Sequence, residues 1–112
     1  MKRDEPYLQD IYAAIKDIEK FTEKTNEEQF LKNKEKQYAV MRAIEIIGEA
    51  TKNMSRDLKT KYPDVPWKII AGMRDKLIHA YFGVKPVRVW EVTQKDIPKL
   101  KKQIAEILKE IK

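Results

Sequence analysis

Cysteine is absent from the 112 residues, so neither a disulfide framework nor a thiolate metal site can form, and the absence agrees with a reducing compartment. Histidine occurs once. A transition-metal site would therefore have to draw on scattered carboxylates, and none of these shows ligand spacing. With only three glycines the chain has no Gly-rich phosphate loop and no dinucleotide fingerprint, and no serine sits in a nucleophile elbow. No apolar run approaches the roughly 18 residues that a spanning helix needs. The start, "MKRDEPYLQD", is charged where a targeting segment would carry its apolar core. These absences predict a cytoplasmic protein with no membrane attachment, no cofactor and no metal.

What is present suits a single helical domain over residues 1–112. Hydrophobic residues make up 42%, enough for a core, while the 38% that are charged exceed the usual share of about 25% and call for long solvated helix faces. The net charge of +6, from 24 basic against 18 acidic residues, favours polyanions or an acidic partner in a general way. Much of it is surface charge at helical spacing, as in "KKQIAEILKEIK".

Leu8, Ile11, Ile15, Ile18 and Phe21 recur at three- and four-residue steps and predict a first helix over about residues 5–24. Thr25 or Asn26 then caps a short helix around 27–31. Val40, Ile44, Ile47, Thr51, Met54 and Leu58 predict one long helix across 37–60, and Gly48 inside it predicts a close helix-to-helix approach. "KYPDVPW" breaks the chain, after which a fourth helix runs from about Pro66 to a stop near Gly83. Pro86 forces a restart. Val87, Trp90 and Val92 open a last apolar face that resumes at Ile97, Leu100, Ile104, Ile107 and Ile111, with Pro98 either kinking the helix or opening its second half. No strand pattern competes, so the expected fold is an all-α up-and-down bundle of about five helices.

The single histidine lies in "GMRDKLIHAYFG". At about 100° per residue Arg74 and Tyr81 share a helix face, while His79 is roughly 140° round from Arg74. His79 reads either as a structural residue interacting with a helix C-terminus or as a proton-transfer group. A guanidinium grips phosphate oxygens bidentately, so Arg74 with His79 suits metal-independent RNA cleavage. Such a reaction uses two proton-transfer groups, which a two-fold dimer with two copies of His79 would supply. Asp75 would favour the imidazolium form of His79 and Lys76 would disfavour it. Glu45 and Glu49, with Arg42, read as a surface ion-pair network. Trp67 and Trp90 read as core or interface anchors.

"RDKLIHAY" resembles the Arg-x4-His-x-Tyr motif of the HepT-like toxins in the HEPN superfamily. "AIEIIGEATKNMS" resembles the family's Ile-Gly-Glu-Ala helix, "YPDVPWKIIAGMRDKLIHAYFGV" its Pro-x-x-Pro-Trp segment, and "VWEVTQKDIPKLKKQI" its closing helix. The resemblance implies an all-α HEPN fold, a homodimer with the motif in a cleft on the dimer axis, and a metal-independent endoribonuclease. That enzyme is the toxin of a type VII-like toxin–antitoxin pair. Its implied partner is an MntA-like minimal nucleotidyltransferase that neutralises it by adenylylating the motif tyrosine. Carried over, Arg74 holds and polarises the phosphate, His79 transfers the proton, and Tyr81 is the modification site. One departure is Asp75, where the family commonly has Asn, which puts a negative charge close to the phosphate. The alternative is a non-catalytic helical substrate-binding or scaffold partner of a nucleotidyltransferase.

Overall fold

A computed structural model describes residues 2–79 and 85–111, with side chains at 77–79 outside the description. A 3-10 turn, Lys2–Asp4, leads into α1, Glu5–Thr22, whose Leu8, Ile11, Ile15 and Ile18 are buried. Pro6 costs nothing there, because the first amides of a helix have no intrahelical acceptor. The helix stops two residues short of the expected end, where Glu23 turns extended and Lys24 takes a φ of 59°. Asn26 caps α2, Glu27–Leu31: its side chain accepts from the Gln29 amide while the Gln29 side chain accepts from the Asn26 amide.

The long helix expected across 37–60 is two helices. α3 spans Lys34–Asn53 and α4 spans Arg56–Lys61, with the chain extended at Met54 and Ser55 between them. Asp4 is the cause. It is 1% exposed, and its carboxylate accepts from the Ser55 amide at 2.7 Å and the Ser55 hydroxyl at 2.6 Å. The same hydroxyl accepts from the Leu58 amide as the cap of α4. With its amide given to Asp4, Ser55 has no donor left for the carbonyl one turn back, and the helix restarts.

α5, Trp67–His79, begins directly after Pro66, whose carbonyl accepts from the Ile70 amide. Trp67 is buried and donates its indole N–H to the Tyr62 carbonyl. The last column is α6, Pro86–Glu91, a π-helical turn over Val92–Asp96, and α7, Ile97–Ile111. Pro98 is the second residue of α7 and so opens the second half of this column, one of the two outcomes expected from the sequence. It has no amide for the Gln94 carbonyl and its ring crowds that position, and the widened turn just before it accommodates both.

α1 packs along α3, α3 along α5, and α1 against α7. The core between them holds Leu8, Ile15, Val40, Ile47, Leu58 and Ile104, all fully buried. Phe30 of α2 meets Trp90 of α6 with ring centroids 5.2 Å apart, so both tryptophans anchor packing. Secondary structure among the described residues is helical throughout, as expected for an all-α bundle, and none of its helices is long and apolar enough to cross a membrane.

Candidate functional site

The site is built where α5 crosses α3, at Gly48. A Cβ on Gly48 would stand 2.4 Å from Arg74 Cβ and 3.2 Å from the Ile70 carbonyl oxygen. Real side chains do not approach that closely, so only glycine lets α5 seat there. The close approach expected from the sequence is thus present, and its counterpart is the motif arginine. Arg74 roots in the notch with its side chain about one-third exposed, so the root is packed against Gly48 while part of the side chain reaches solvent.

Lys52 lies one turn beyond Gly48 on the same face of α3. Its Nζ donates to Asp75 Oδ1 at 2.5 Å, and Arg74 Nη1 stands 3.5 Å from the same oxygen. The hydrogen bond from Lys52 is the main reason the Asp75 carboxyl is held below its usual range; partial burial opposes that shift, and the positive charges of Lys52 and Arg74 add to it. Lys76 is exposed on the next position. His79 is the last residue of α5 in the described part of the chain, five residues after Arg74. Its side chain, and the whole of Tyr81, lie outside the described residues.

The structure therefore brings Arg74 and Asp75 together with Lys52, a residue the sequence reading did not single out. Nothing local marks Lys52 among so many lysines; only the register of α3 against α5 does. On the outer side of α3, Arg42 and Glu45 form a surface ion pair at 3.3 Å, while Glu49 is exposed. No cluster of acidic or histidine side chains among the described residues is arranged to hold a metal ion.

Comparison with known proteins adds the family. The family described as Ribonuclease HepT-like matches residues 11–107. A protein of Methanocaldococcus jannaschii, provisionally named RNase MJ0125, is 47% identical over 98% of this chain and 96% of its own length. A protein of Thermococcus cleftensis named "Probable ribonuclease HepT" is 50% identical over 97% of this chain and 100% of its own length. RNase TTE0752 of Caldanaerobacter subterraneus, also provisionally named, is 45% identical over both full lengths. No solved structure matches the chain.

Proposed function

From the premise that this chain belongs to the HepT-like ribonuclease family and is an endoribonuclease, we propose that it cuts RNA without metal, by attack of a ribose 2′-oxygen on the adjacent phosphorus. The observation that carries this reading is Arg74, seated against Gly48 with part of its side chain reaching solvent and His79 five residues on along one helix. His79 takes the 2′-OH proton as the 2′-oxygen bonds to phosphorus. Arg74 stabilises the charge developing on the non-bridging oxygens, and the 5′-oxygen departs with a proton. One histidine per chain makes the His79 of a second copy the donor of that last proton, so the active form is a homodimer with the two motifs at its axis.

The same reading makes the protein a cytoplasmic toxin of a toxin–antitoxin pair, silenced by an MntA-like nucleotidyltransferase. Its partner would direct the Tyr81 oxygen onto the α-phosphorus of ATP, forming tyrosyl adenylate and releasing pyrophosphate. The added phosphodiester would occupy Arg74 and the purine would fill the RNA groove. The deciding experiment incubates defined RNA with wild type, Arg74→Ala and His79→Ala in EDTA. Cleavage by wild type alone, with 2′,3′-cyclic phosphate ends and none at a 2′-deoxy position, supports the reading. Cleavage that needs added metal, or that survives His79→Ala, rejects it. Incubation with ATP, Mg²⁺ and the partner, followed by peptide mass spectrometry, tests Tyr81.

A further inference from the structure

Arg74 and Asp75 are neighbours in sequence, and a carboxylate beside a guanidinium is its natural fork-like partner. Left to itself, Asp75 would lean onto Arg74 and occupy the donors that an RNA phosphate must use. In the structure the carboxylate is shared, with the shorter contact going to Lys52. Asp75 Oδ1 is 2.5 Å from Lys52 Nζ, a strong charge-assisted hydrogen bond, and 3.5 Å from Arg74 Nη1, the outer limit of one. From this geometry we infer that Lys52 is a positioning residue that draws the Asp75 carboxylate off Arg74 and leaves the guanidinium open to a phosphodiester; the inference rests on the ribonuclease reading above.

Three features give the arrangement its direction. Adjacent helical residues project about 100° apart, so Asp75 meets Arg74 only at 3.5 Å, whereas Lys52 reaches the same oxygen at 2.5 Å. Gly48 brings the two helices close enough for Lys52, one turn further along, to reach across. Finally, Lys52, Arg74 and Asp75 together carry one net positive charge, which a singly charged phosphodiester neutralises. The Asp75 anion thus becomes tolerable beside a phosphate site because its charge is already paired.

The test compares wild type with Lys52→Met, Asp75→Asn and the double variant in two assays: steady-state cleavage of a short RNA, and titration with inorganic phosphate followed at the Arg74 guanidinium by ¹⁵N NMR. Lys52→Met should raise KM about fivefold with kcat changed less than about twofold, since an exposed pair of this kind shifts affinity modestly. The double variant should return KM to the wild-type value, because Asn has no charge to place on Arg74. Phosphate affinity at Arg74 should follow the same order. An unchanged KM in Lys52→Met overturns the inference. So does a double variant as weak as Lys52→Met, which would mean that Lys52 grips phosphate itself. If wild type cuts no RNA, the ribonuclease reading fails, and the phosphate titration alone decides on Lys52: weakening in Lys52→Met with recovery in the double variant upholds its role, and any other pattern, including no phosphate uptake at Arg74, ends it.

Discussion

At the residue scale, two glycines of opposite meaning bracket the motif arginine. Gly48 faces Arg74 Cβ, which belongs to the root of the side chain and cannot swing aside, so Gly48→Ala must push α5 off α3. Overpacking of this kind costs about 1–3 kcal/mol, against a helix-propensity gain of at most about 1 kcal/mol, so the variant should melt several degrees lower and lose cleavage as Arg74 moves. Gly72 lies within α5 with nothing inside 4 Å of a would-be Cβ. Gly72→Ala should therefore stabilise by up to about 1 kcal/mol, and thermal melts of both variants check the pair; stabilisation by Gly48→Ala would contradict the close approach. Asp75 offers a second check through pH. Its folded-state pKa is depressed, chiefly by Lys52, so its contribution to stability is present above the ordinary aspartate value and is lost as pH falls through the depressed one. The Asp75 carboxyl, followed by ¹³C NMR, should titrate below the usual aspartate range in wild type and return toward it in Lys52→Met/Arg74→Ala, where both cations are gone. Titration at an ordinary value in both proteins would show that the bridge does not form in solution.

At the element scale, the difference between what could be read and what could not follows the reach of the interactions. Ile11, Ile15 and Ile18 announced α1, and Ile104 and Ile107 announced α7, because a buried stripe repeats every three or four residues. The break between α3 and α4 escaped that logic, since Met54 and Leu58 are both buried and keep helical spacing straight through it. Its cause lies 51 residues away, in Asp4. Pro98 signalled a disturbance without its form, a π turn. Within the site, the close approach at Gly48 was legible from local pattern, whereas its counterpart Arg74 and the bridge from Lys52 required the register of two helices. The Asp4–Ser55 clamp predicts a stability signature of its own. Ser55→Ala removes a cap worth about 1 kcal/mol and also strips the buried Asp4 carboxylate of its hydroxyl donor, so it should cost about 2–3 kcal/mol in urea unfolding. The Asp4→Ala/Ser55→Ala double variant should be less destabilised than the sum of the singles, as expected for two groups in one hydrogen-bonded unit. Strict additivity would show that the clamp does not hold the break.

At the scale of the whole molecule, the outer face of α5 carries apolar surface that the rest of the chain leaves uncovered. Ile69 is 69% exposed, although large aliphatic side chains elsewhere on the main helices are nearly all buried. One turn on, Met73 continues the apolar surface, and a groove between α5 and α7 runs beside them, lined by Ile69, Met73 and Leu100 together with Asp96, Lys99 and Gln103. Arg74 follows Met73 directly. A two-fold contact over this face would bring two motif helices beside one axis and place a second His79 near the first site, as the proposed pair of proton transfers would use. A stable dimer buries roughly 1,200 Å² or more, so such a contact would have to extend along α5 and α7. Putting a charge at its centre should break it while leaving the monomer intact, because Ile69 contributes little to the core. Ile69→Lys should therefore sediment as a monomer at micromolar concentrations where wild type is a dimer, melt within a few degrees of wild type in dilute solution, and lose most RNA cleavage. Charge alone cannot mimic this outcome, since on a chain already at +6 one more lysine adds little to long-range attraction for RNA and, if anything, strengthens it. A wild-type protein that stays monomeric throughout, or an Ile69→Lys variant that remains dimeric and fully active, would remove α5 from the dimer axis.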